Sequence, residues 1–134
     1  MRSSAKVLFL LSAASLLTAC TATTVPEFEA QQSDRDIPTE ASSDRDIDAS
    51  TTRFVGEVEG IELYIARGNN DTLCVIQVHD EEWLQTGCGA GSGVGIELES
   101  GTRIEAGTFK FPEQQVGDGV REQLSESVTV ITYP

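Results

Sequence analysis

From Arg53 to the end of the chain, apolar and polar positions alternate. Phe54, Gly56 and Val58 interleave with Val55, Glu57 and Glu59, and Ile61, Leu63 and Ile65 with Glu62, Tyr64 and Ala66. Val94, Ile96 and Leu98 alternate with Gly95, Glu97 and Glu99, and Val128 and Val130 with Thr129, Ile131 and Tyr133. A period of two puts one side of a strand in the core and the other in water, the habit of antiparallel sheets. Turn-forming residues separate the runs: Glu59-Gly60, Gly68-Asn69-Asn70-Asp71, Ser100-Gly101 and Gly117-Asp118-Gly119. Ile104 and Ala106 share one parity and Phe109 and Phe111 the other, so a bulge or turn is expected at the intervening Gly107. No helix-period segment of useful length occurs; Val120 to Ser127 forms at most one helical turn. These patterns predict one all-β domain over residues 53–134, of six to seven short antiparallel strands, as a small barrel or a sandwich. So small a domain is marginal on core burial alone, and a covalent staple is expected.

The cysteines supply one. Thr72–His79 and Trp83–Cys88 flank the acidic turn Asp80-Glu81-Glu82, and a hairpin centred on Glu81 sets Cys74 directly opposite Cys88. Facing residues in such a pair have Cα atoms about 4.5–5.5 Å apart, within reach of a disulfide. The same register sets Ile76 opposite Thr86 and Val78 opposite Leu84 on the cysteine face, with His79 opposite Trp83 on the other. A metal reading is weaker, because Cys74, His79 and Cys88 fit no usual zinc spacing and lack a fourth ligand.

Upstream, residues 20–52 hold only Val25, Phe28, Ile37 and Ile47 as large apolar side chains, among Thr, Ser, Pro and charge. Such a stretch is expected to stay disordered, an acidic tether averaging about 30 Å as a coil and holding the domain off the membrane. On that reading, deleting it leaves the stability of the domain unchanged. It contains a duplication, Ser33-Asp34-Arg35-Asp36-Ile37 and Ser43-Asp44-Arg45-Asp46-Ile47, read as tether elongation. Asp44, Asp46 and Asp48 open like a calcium loop, but Ala49 stands where Gly is needed and Val55 where Glu is needed.

The first residues carry an address. Arg2 and Lys6 precede an apolar run from Val7 to Ala19, about 20 Å long as a helix and too short for a hydrocarbon core of about 30 Å. A cationic start, a short apolar middle and small residues at the end describe an export signal over residues 1–19. Leu17-Thr18-Ala19-Cys20 resembles the lipobox of bacterial lipoproteins, which implies cleavage before Cys20 and diacylglycerol on its sulfur. The expected location is the cell membrane of a Gram-positive or actinobacterial cell, lipid-anchored on the extracellular face. All 22 acidic residues lie beyond residue 19, with seven of the nine basic ones. That balance argues against nucleic acid as a partner and leaves membrane attachment to the acyl chains.

Little in the domain suggests chemistry. The glycine run from Gly87 to Gly95 fails as a nucleotide loop, since Val94 replaces the last required Gly and no Lys follows. Ser92 lacks the flanking glycines of a nucleophile elbow, and His79, the one histidine, reads as a solvated turn residue. Trp83 reads as core. No catalytic residue, metal, cofactor or small-molecule ligand is expected, and the chain is not expected to be an enzyme.

Thr72-Leu73-Cys74-Val75-Ile76, then Trp83 and Gly87-Cys88, follow the hairpin Val55 to Tyr64 and precede the ending Glu122 to Val130. Over residues 54–132 this resembles a group of small exported actinobacterial lipoproteins with a "CLV…W…GC" core. The resemblance implies a fold and a location but no activity. The expected function is a non-catalytic interaction or structural role in the cell envelope, with an unknown protein partner. The alternative is an inhibitor of a secreted basic protein, such as a cell-wall hydrolase.

Overall fold

Two tight turns organise the first half of the domain. Glu59 and Gly60 have φ of 55° and 80°, and Asp80 and Glu81 have 47° and 63°. Two successive positive φ values make the hairpin turn whose twist matches that of its strands. The computed structural model describes residues 25–39 and 46–134. In it, β1 (Arg53–Val58), β2 (Ile61–Arg67), β3 (Leu73–His79) and β4 (Glu82–Gly89) form an antiparallel sheet in chain order. The second sheet holds β5 (Gly93–Glu97), β6 (Arg103–Gly107), β7 (Val120–Gln123) and β8 (Val128–Thr132), in the order β5-β6-β8-β7. One short helix, α1 (Glu113–Val116), bridges β6 and β7.

The all-β expectation therefore holds, as two open four-stranded sheets face to face and not a closed barrel. Among the described residues there are eight strands, against the expected six to seven. The addition is β7, read from sequence as a helical turn at most. Arg121, Glu122 and Gln123 give it no apolar face, but it pairs with β8 along its whole length. Partner hydrogen bonds, not burial, make it a strand.

Leu63, Ile65, Leu73 and Val75 of the first sheet meet Val94, Ile104, Ala106, Val128 and Val130 of the second in one core. Gly107 ends β6 at a φ of 65°, and a Cβ there would lie 1.8 Å from the Ser92 carbonyl oxygen. Only glycine fits, and the parity slip before Phe109 is the resulting turn.

Cys74 and Cys88 pair in register and form a disulfide, with Cα atoms 4.1 Å apart, somewhat closer than expected. Beyond Gln77 the register departs from the expected one. Val78 faces Trp83 and His79 faces Glu82, with a bulge between Gln77 and Val78. The turn uses two residues, not three, and the bulge takes up the difference at Leu84. Trp83 therefore shares the cysteine face and packs there, while Leu84 leaves it and is 47% exposed.

The largest correction concerns residues 20–52. Of that stretch, 25–39 and 46–52 are described, and they strap the domain. Cys20, the signal segment and Ser43 to Arg45 lie outside the described residues. Val25 is 1% exposed and joins the inter-sheet core, with Phe28 packed beside it. The Glu27 carboxylate accepts hydrogen bonds from the Ser125 hydroxyl and from the Ser127 N–H and hydroxyl, at 2.7–2.8 Å. Arg35 lies 3.7 Å from the centre of the Phe54 ring and donates to the Tyr64 hydroxyl and Glu62. Asp36 accepts from the Phe54 N–H, and Ile47 is buried and bridges Gly68. The first copy of the duplication thus lies over β1 and β2, while the end of the second adds to the β2–β3 turn. The strap orders because the outer face of the first sheet is itself apolar: Tyr64, Ala66, Ile76 and Val78 need a cover.

Candidate functional site

Gln77 sits where the alternation calls for an apolar residue. It follows Leu73 and Val75 on the inner row of β3 and faces Gln85 across the hairpin. The residue is only 6% exposed, yet its side-chain amide makes no hydrogen bond among the described residues. Its polar atoms are not closed off from water and meet solvent where the cleft opens. The amide borders a cleft of about 660 Å³, lined by Glu59, Ile61, Gln77, Leu84, Gln85, Leu98, Glu99 and Ser100. That volume lies within the range of ligand-binding clefts.

Glycines shape the cleft by pinning the sheet edges together elsewhere. A Cβ on Gly89 would lie 2.2 Å from the Gly93 carbonyl oxygen, and one on Gly87 would lie 2.6 Å from Ile96 Cγ2. The glycine run from Gly87 to Gly95 lies mostly in β4 and β5, which it lets approach closely. Past that pinned end, Leu84 and Gln85 face Leu98 and Glu99 across the cleft.

The turns Glu59-Gly60, Asp80-Glu81 and Glu99-Ser100 share this end of the sandwich. Thr102 donates to the Glu59 carboxylate at 2.8 Å, and the Ser100 hydroxyl donates to its other oxygen. The Ser100 and Thr102 bonds hold the Glu59 carboxyl below its usual range, so it is charged at neutral pH. His79 Nδ1 lies 3.0 Å from the Gly60 carbonyl oxygen and Nε2 lies 3.3 Å from Asp80. The Gly60 contact, then the Asp80 charge, raise its pKa. No Lys or Arg occurs between Arg67 and Arg103, a stretch that holds Asp80, Glu81, Glu82, Glu97 and Glu99. The cleft end is acidic.

The opposite end carries Gly68, Ser92, Gly107 and Ser125 to Ser127, tied by the Gly107 N–H to the Ser127 carbonyl and the Thr108 N–H to the Ser92 carbonyl, at 2.8 and 3.1 Å. Val25 and Glu27 enter there. A second charged cluster, buried Glu105 with Arg121 at 3.0 Å and the Phe111 N–H at 2.6 Å, fastens the β6–β7 connection. Its groups are paired.

Of the residues singled out from sequence, Cys74 and Cys88 meet, and both lie on the outer face, away from the cleft. Trp83 is partly buried on that face with its Nε1 unpartnered among the described residues. Among the described residues, no group of His, Cys, Asp or Glu could hold a metal ion. Gln77 and Gln85 were not singled out. The signal was present: one polar side chain inside the otherwise apolar run Leu73 to Val78. No protein-family model, curated protein or solved structure matches this chain.

Proposed function

We propose that this chain is a lipid-anchored cell-envelope protein of the extracellular face, whose domain has a non-catalytic interaction role. The lipobox at Cys20 and the resemblance to exported actinobacterial lipoproteins support the location. The observation that carries the role is where the chain enters the fold. Val25 is seated in the core at one end of the sandwich, and the cleft opens at the other. Five residues from Cys20 to Val25 span at most about 18 Å, so an anchored domain stands on the membrane and not on a long stalk. Its cleft and acidic turns then face away from the bilayer, where a soluble partner arrives.

Inhibition of a secreted basic protein is the second reading, favoured by the absence of Lys and Arg around the cleft. Fractionation of cells expressing wild type and Cys20→Ala tests the anchor. The expected outcome is membrane-bound wild type and released variant; an unchanged membrane fraction for the variant refutes it. A pull-down from culture supernatant at low and high salt separates the two roles. One basic protein lost at high salt favours the inhibitor, and the absence of a salt-sensitive partner favours the broader role.

A further inference from the structure

We propose that the cleft between β4 and the turn after β5 binds an extended basic segment of a partner protein, with Gln77 and Gln85 reading its backbone. This names the partner chemistry for the second reading above, a secreted basic protein, and rests on that reading. Two observations and the chemistry of a peptide converge. Gln77, 6% exposed as a residue, has a side-chain amide without a protein partner among the described residues and lines a cleft of about 660 Å³. An amide carries both donors and an acceptor, as a peptide group does, and Gln77 with Gln85 offers two side by side. A peptide in extended form presents its own N–H and C=O groups at matching intervals.

Charge selects the occupant. Glu59 is held as a carboxylate by Ser100 and Thr102, and Glu99 stands exposed beside it. Between these acids lie Ile61, Leu84 and Leu98. A Lys or Arg side chain suits that mixture, its aliphatic stem on the apolar patch and its charged head at the carboxylates. Leu84 is available only because the bulge turns it out of the cysteine face, so the two-residue turn at Asp80-Glu81 also completes the site. A neutral or acidic segment finds no matching charge here. Buried Glu105, by contrast, is already satisfied by Arg121 and by the Phe111 N–H.

The test uses the mature chain, residues 20–134 with Cys20→Ser, and the peptide acetyl-Arg-Ala-Arg-Ala-Arg-Ala-amide. Amide resonances are followed during titration, with an Glu-for-Arg peptide and calcium chloride alone as separate arms. Saturable shifts of Gln77, Gln85 and Ser100 by the basic peptide are expected, with none from the acidic one. Gln77→Leu should weaken binding about tenfold, as for one lost hydrogen bond, without loss of fold. Gln85→Ala, at an exposed position, reports the same contact if Gln77→Leu does not fold. Glu59→Gln with Glu99→Gln should flatten the salt dependence. The absence of saturable shifts at these residues overturns the proposal, as does unchanged affinity in both glutamine variants, which means charge attraction alone. Calcium shifting the same amides and competing with the peptide marks a cation site and also overturns it. Fractionation of Cys20→Ala reads the anchor independently, so failure of either experiment is told apart from failure of the other.

Discussion

The two faces of the first sheet are held by different means. Its inner face meets the second sheet through Leu63, Ile65, Leu73 and Val75, all fully buried and all aliphatic. Its outer face is held by a disulfide, by Arg35 on the Phe54 ring, by the Phe54–Tyr64 edge contact at 5.4 Å, and by a strap of mostly polar residues. Non-directional burial suffices where two sheets stack, because apolar area alone sets the gain. Where one sheet is covered by an irregular strap, individual hydrogen bonds and ion pairs must place it, because each strap backbone group needs its own partner.

Removing the strap produces the largest change. Burial of Val25 and Ile47 is worth about 1.5–3 kcal/mol each. Each kcal/mol moves the melting temperature of a domain this size by about 4–8 °C. Deletion of residues 21–52 should therefore lower the melting temperature by at least about 12 °C in a thermal scan. An unchanged value would mean that the outer face needs no cover and would restore the tether reading.

The disulfide comes next. It joins Cys74, 0% exposed on the outer face, to the sheet edge at Cys88. Replacing both cysteines by Ala should cost about 3 kcal/mol, measured from the urea midpoint. A loss well below 1 kcal/mol would mean that the strap alone secures this face.

Acid should loosen the contacts of the strap before the inner core, with the smallest effect of the three. Burial pushes the Glu27 carboxyl up, but bonds from Ser127 and Ser125 outweigh it and hold it below its ordinary value of 4.5. Burial likewise opposes the bonds from Ser33 and Phe54 that hold Asp36 below 3.8. A carboxyl depressed on folding contributes stability above its unfolded pKa and loses it as pH falls through the folded one. Hydrogen-exchange protection at the Ser127 amide should therefore fall below about pH 4.5, and that at the Phe54 amide below about pH 3.8, while that of Ile65 persists. Simultaneous loss at all three amides would show one cooperative unit and erase the distinction between the faces.

The sequence by itself determined the all-β class, the hairpin around Asp80 and the pairing of Cys74 with Cys88, because period-two alternation and local turns act over neighbouring residues. It also held a sign of the cover: Leu73 to Val78 is nearly continuous in apolar residues, which is the mark of a strand buried on both faces. Which segment would supply that cover was not legible, since Ile47 stands alone among polar neighbours and gains its burial only from distant strands. The strand β7 was hidden for a related reason, its conformation being set by pairing with β8. Only the tertiary structure decided between barrel and sandwich, moved Trp83 and Leu84 to opposite faces, and opened a cleft beside Gln77. Those outcomes depend on how two sheet edges meet, and the approach at Gly89 and Gly93 is a contact between strands that no pattern along a single strand encodes.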